Sequence, residues 1–125
     1  MRVILIDDEE ELVSTLAERL SFRGIDADWV TNGDEALKQL DEASYDIAIV
    51  DVKMPGISGI QLKRMMAAKC PEMRFIFVTG HGSEEDFKEG SEEAGGEGFY
   101  LVKPVEIEDL VNKFDEILKA TGAES

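Results

Sequence analysis

Cysteine and histidine are almost missing from this 125-residue chain, with Cys70 and His81 the sole examples. A single cysteine excludes an internal disulfide and makes a reducing cytoplasm the expected compartment. One Cys and one His are also too few for a zinc site. No apolar run approaches the roughly 20 residues that span a bilayer, so no membrane role is expected. The opening MRVILIDDEEE has one basic residue and a short apolar run, too little for a secretory signal. Basic residues are scarce as well: 13 Lys and Arg face 28 Asp and Glu, for a net charge of −15. A field of that sign repels phosphate backbones, which argues against direct nucleic-acid binding and suits cations or a basic partner surface. For most of the acidic residues, solubility is a sufficient role. Internal repeats, low-complexity tracts and linkers are lacking too, so residues 1–125 read as one domain.

Five short apolar runs alternate with segments of helical period. The runs are Arg2–Ile6, Ile25–Val30, Asp46–Val50, Arg74–Val78 and Gly98–Val102. Short apolar runs with polar borders suit strands of a parallel sheet covered on both faces. In the second run, Ile25, Ala27 and Trp29 alternate with Asp26 and Asp28, which predicts an edge strand with one wet side. Between the runs, Leu12, Val13, Leu16, Ala17 and Leu20 repeat at helical spacing, and Ala36, Leu37 and Leu40 mark a shorter second helix. Ser58 and Gln61 make a capping box for a third helix through Leu62, Met65 and Met66. The last helix carries one stripe, Ile107, Leu110, Val111, Phe114, Ile117 and Leu118, with acids in its first turn and Lys119 in its last. This alternation predicts an α/β fold with a doubly wound, mostly parallel sheet.

The fourth helical segment is weak. In SEEDFKEGSEEAGGEG, only Phe87 and Ala94 offer apolar packing, Gly90 disfavours helix, and Gly95 and Gly96 end it. A short, frayed helix of low local stability is expected there.

In open parallel sheets, ligands bind beyond the carboxyl ends of the strands. The first strand ends in Asp7-Asp8, the third in Asp51, the fourth in Thr79 and the fifth in Lys103. Three carboxylates, a hydroxyl and an ammonium are therefore delivered to one end of one sheet. Crowded carboxylates repel unless a cation intervenes, and a few hard oxygen ligands suit Mg²⁺. Thr79 and Lys103 are donors better fitted to the oxygens of a phosphoryl group. The pattern points to a metal, a phosphoryl group and a nucleophilic carboxylate brought together, with aspartyl phosphate as the product.

Four stretches, LIDDE at 5–9, IVDVKMPGISG at 49–59, VTGHG at 78–82 and FYLVKP at 99–104, each follow or end a strand in a fixed order. On these motifs the whole chain resembles a response-regulator receiver domain, the phosphoacceptor half of two-component signalling. The fold this resemblance implies is an α/β doubly wound five-stranded parallel sheet, flavodoxin-like (βα)5, with strand order 2-1-3-4-5. The resemblance implies that Asp51 takes a phosphoryl group from a sensor histidine kinase or a phosphotransfer protein. It implies Mg²⁺ bound by Asp8 and Asp51, with Asp7 close or acting through water and the Lys53 backbone carbonyl as a further ligand. Thr79 and Lys103 would hold the phosphoryl group, and the Lys103–Pro104 peptide would be cis. Thr79 and Tyr100 would form the switch that alters the surface of the fourth helix, fifth strand and last helix. An output domain or downstream partner would read that surface. A homodimer through it is common in the family, and the sequence leaves the oligomeric state open.

Plainer roles apply elsewhere. Glu9, Glu10 and Glu11 read as acids favoured at a helix start, His81 as a loop residue, Cys70 as a helix end and the methionines as core filler. Two rival functions fit the sequence less well. A Mg²⁺-dependent phosphatase using an aspartyl phosphate would want a second acid where Lys53 stands, and a mononucleotide binder would not follow its first strand with DDEEE.

Overall fold

The computed structural model describes residues 1–80 and 100–120. Its elements are β1 (Arg2–Ile6), α1 (Glu10–Ser21), β2 (Asp26–Val30), α2 (Gly33–Glu42), β3 (Ile47–Asp51), α3 (Gly59–Lys69), β4 (Arg74–Thr79), β5 (Tyr100–Val102) and α4 (Ile107–Ala120). The five strands form one parallel sheet in the order β2-β1-β3-β4-β5, the order the resemblance implies. The expected fourth helical segment, His81 and Phe99 lie outside the described residues.

A period of two along each strand divides the core between two faces. Val3 and Leu5 of β1, Ile47 and Ile49 of β3, and Ile76 and Val78 of β4 pack with α1 and α4 through Leu16, Leu20, Leu110, Phe114 and Ile117. Ile4 and Ile6, Ala48 and Val50, and Phe75 and Phe77 pack on the opposite face with Ala36 of α2 and Leu62 and Met66 of α3. Every residue of β3 is buried, which explains why Ile47–Val50 are apolar without alternation, and leaves Asp51 as the one polar residue of the strand. Each large side chain so buried stabilises the fold by roughly 1.5–3 kcal/mol.

The helix starts follow from local chemistry. Asn32 caps α2, its side-chain oxygen accepting from the Glu35 N–H at 2.9 Å, and Ser58 caps α3 by accepting from the Gln61 N–H at 3.2 Å. The second strand departs from expectation in one respect. Ile25 and Ala27 pack against the α1 side of the core, but Trp29, in phase with them, is 38% exposed. Nor is Asp28 simply wet: it accepts from the Tyr45 hydroxyl at 2.5 Å and pairs with Arg2 at 3.1 Å. An edge strand has only one sheet neighbour, so its far end lies beyond the helix cover, and its acid can turn to cross-strand partners instead of water.

Candidate functional site

Asp51 is the last residue of β3, in phase with Ile47 and Ile49, and Asp7 directly follows β1, in phase with Val3 and Leu5. The ladder continues past the strand end, because the Asp7 N–H donates to the Val30 carbonyl at 3.3 Å. Lys103 is fixed in the same way: its N–H donates to the Thr79 carbonyl at 2.7 Å, one residue beyond β5. Leu101 packs on the same face as Ile49 and Val78. The period of two thus sends Asp7, Asp51 and Lys103 to one side of the sheet.

There the three meet. The Lys103 Nζ lies 3.0 Å from Asp7 Oδ2 and 3.4 Å from Asp51 Oδ2. Its shortest contact is to a residue expected only to start a helix, Glu9, at 2.7 Å from Oε1. Glu9 also donates its N–H to Asp7 Oδ1 at 2.9 Å, and the Lys53 N–H donates to Asp51 Oδ1 at 3.2 Å. Asp8 is exposed at the rim, yet one carboxylate oxygen from each of Asp7, Asp8 and Asp51 lies within 4.8 Å of the others.

Burial shapes the charges. Asp7 and Asp51 are 4% and 5% exposed and rest above a cavity of about 10 Å³ walled in part by Leu12, Leu16, Ile49 and Val78. This apolar floor, and then the charge of Asp7, push the Asp51 carboxyl up to about 6 against the pull of Lys103. Burial likewise raises the Asp7 carboxyl, although the Glu9 N–H and Lys103 oppose it. For Lys103, burial works to lower the ammonium, but Glu9, Asp7 and Asp51 together outweigh it and hold the group firmly protonated. One ammonium among four carboxylates leaves a deficit of positive charge, and hard oxygen donors are what a cation would meet there. The cluster fits a divalent metal ion.

The loop between β3 and α3 is built to bring backbone against this cluster. Gly56 takes φ +84, a left-handed turn that side chains resist. Gly59 opens α3 so close to the strand that a Cβ there would stand 2.1 Å from the Asp51 carbonyl oxygen.

Thr79 and Tyr100 occupy a different side. Thr79 ends β4, is 2% exposed, and is in phase with Phe75 and Phe77 rather than with Val78. Tyr100, paired in register with Phe77, packs against that same cluster. The structure therefore gathers Asp7, Asp8, Asp51 and Lys103 into one pocket and sets Thr79 and Tyr100 on the neighbouring face of the sheet. The Lys103–Pro104 peptide is cis, as the resemblance implies.

Fold and site define a doubly wound α/β protein with an acidic pocket at the carboxyl end of its sheet. The chain belongs to the response regulator receiver domain family, whose model matches residues 3–115. It is 31% identical over 122 residues to the two-component response regulator PhoP of Pseudomonas aeruginosa, covering 98% of this chain and 53% of that protein. It is 32% identical over 120 residues to the sensory transduction protein RegX3 of Mycobacterium tuberculosis, covering 96% and 52%. Among solved structures, a CheY-like receiver domain protein from Methanospirillum hungatei superposes with a TM-score of 0.86 at 28% identity, covering 99% of this chain and 98% of that one. The chain spans about half the length of the curated relatives it matches. Neither the family match nor these relatives support the phosphatase alternative. A receiver domain is a phosphoacceptor switch in two-component signalling. No helix among the described residues is long and apolar enough to cross a membrane.

Proposed function

We propose that Asp51 is the phosphoacceptor of this receiver domain and that residues 1–125 constitute that domain. The observation that carries the reading is the meeting of a buried Asp51 carboxylate with Asp7, Asp8 and the Lys103 ammonium. A carboxylate oxygen of Asp51 attacks the phosphorus of the donor, a phosphohistidine on a sensor kinase or phosphotransfer protein. The bond between phosphorus and the imidazole nitrogen breaks, its electron pair leaves with the histidine, and a mixed anhydride forms on Asp51.

Mg²⁺ is the metal this donor set suits: the carboxylates of Asp8 and Asp51 and the Lys53 carbonyl would hold it, with Asp7 close or acting through water, and it would supply charge neutralisation for the phosphoryl oxygens. Lys103 pairs with one of those oxygens, and the Thr79 hydroxyl donates to another. The neutral attacking group is the wrong state, so the elevated Asp51 carboxyl makes the metal-free site a poorer nucleophile below about pH 6.

Thr79 and Tyr100 share one face of adjoining strands, so an inward shift of Thr79 is passed to the packing of Tyr100. The surface of the fourth helical segment, fifth strand and last helix then changes, and an output domain or downstream protein partner responds. Amide NMR with and without a phosphoryl mimic tests this; unshifted signals over residues 80–104 would rule the switch out.

Incubation with acetyl phosphate and Mg²⁺ separates this function from a phosphatase. The switch takes up one phosphoryl group per chain, whereas a phosphatase turns over added phosphoester continuously.

A further inference from the structure

Among the described residues, Lys103 is the cation that meets these carboxylates, and its three N–H donors already face three of them: Glu9 at 2.7 Å, Asp7 at 3.0 Å and Asp51 at 3.4 Å. A phosphoryl oxygen on Asp51 can pair with this ammonium only if one of those acceptors gives way. Asp7 cannot do so cheaply. It is 4% exposed and further held by the Glu9 N–H, so its carboxylate has no path to water by which to leave the ammonium. Asp51 carries the incoming group and stays in place. The Glu9 side chain is different: it is 61% exposed, and water waits to solvate it wherever it swings. The shortest contact of the ammonium is therefore also its most replaceable one.

We propose that Glu9 is a positioning residue for Lys103, holding the ammonium over the resting site and competing with the phosphoryl group for it. The Glu9–Lys103 hydrogen bond breaks as the phosphoryl oxygen takes its place, and the Glu9 carboxylate turns out to solvent. Glu9 thereby sets how strongly the unmodified site resists phosphorylation. The inference rests on Asp51 as phosphoacceptor, and it gives Glu9 a role separate from metal binding.

The test uses Glu9→Gln, the neighbouring exposed acid Glu10→Gln as a charge control, and each of Glu9→Gln and wild type in a Lys103→Met background. Thermal melting in EDTA first establishes that each variant folds; a Lys103→Gln background replaces Lys103→Met if the latter does not. Two readouts are taken at saturating Mg²⁺: the binding of beryllium trifluoride, from its effect on the melting temperature, and phosphorylation by acetyl phosphate resolved into apparent donor affinity and maximal rate. Glu9→Gln is expected to bind beryllium trifluoride about two- to fivefold more tightly, the range of an exposed ion pair, and to show a matching gain in donor affinity. Glu10→Gln should match wild type, and Glu9→Gln should change nothing once Lys103 is gone. The inference is overturned if Glu9→Gln equals wild type, if its effect survives without Lys103, or if Glu10→Gln produces the same gain. A wild-type protein that takes up no phosphoryl group on Asp51 would fell the phosphoacceptor reading and this one with it. Normal wild-type labelling beside an unaltered Glu9→Gln overturns the positioning role alone.

Discussion

The first residue of α3, Gly59, abuts the last residue of β3, Asp51, so closely that a methyl group on Gly59 would overlap the Asp51 carbonyl oxygen at 2.1 Å. The Gly59 N–H meanwhile donates to the Val52 carbonyl at 3.0 Å, locking helix to strand. Since the clash is with backbone, no rotamer change relieves it. Gly59→Ala is expected to destabilise the protein by about 2–4 kcal/mol, in the range of severe overpacking, and to slow phosphorylation by displacing Asp51. Urea unfolding checks the first effect. A Gly59→Ala protein as stable as wild type would show that α3 can retreat freely.

Asp51 itself is held at a cost in the absence of metal. Its carboxyl lies at about 6 when folded against 3.8 ordinarily, chiefly because it is buried. The folded state therefore binds the proton more tightly than the unfolded one. The contribution is fully present below about pH 4 and is lost as pH rises to about 6 and beyond. In EDTA, Asp51→Asn should thus gain on wild type across this window, reaching about 1–3 kcal/mol at pH 7. Paired urea titrations at pH 4 and pH 7 measure it; a difference that does not grow with pH would contradict the burial argument.

Divalent metal should reverse that penalty. A ligand that binds only the folded state at a hundredfold excess over its Kd adds about 2.7 kcal/mol. Mg²⁺ is accordingly expected to raise the melting temperature of wild type by several degrees, and Asp8→Ala should abolish most of the rise. An undiminished Mg²⁺ response in Asp8→Ala would remove Asp8 from the ligand set.

A polar network at the opposite end of the sheet offers a contrast. The Tyr45 hydroxyl donates to Asp28 at 2.5 Å and accepts from Gln39 at 3.0 Å, while the Arg2 guanidinium sits 5.3 Å from the Tyr45 ring centre. Burial, then the bond to Asp28, push the phenol up to about 12, so it remains a donor at every ordinary pH. Tyr45→Phe should cost about 1 kcal/mol of stability and leave acetyl phosphate labelling intact. Lost labelling with unchanged stability would mean that this end of the sheet is coupled to the pocket.

Much of this was open to reading from the chain. The strands stand where short apolar runs predict them, because burial on both faces leaves little room for polar residues. Asp7, Asp51 and Lys103 converge because each directly ends or follows a parallel strand, and parallel strands share one carboxyl end. The contact of Glu9 with Lys103 was not legible. Its partner lies 94 positions away, and an acid at a helix start has a sufficient local reason to be there. The Asn32 cap has a sequence signal, since Asn followed three residues later by Glu is a cap pattern. Trp29 misled, because alternation tells which side a residue faces and not whether a helix reaches far enough to cover it. Nor does any spacing rule disclose how close Gly59 stands to Asp51.

The most direct test of the account is the intact mass of wild type and Asp51→Asn after incubation with acetyl phosphate and Mg²⁺. Wild type should gain the mass of one phosphoryl group, labile to alkali, and Asp51→Asn should gain none. Equal gain in the two proteins, or no gain in wild type, would contradict it.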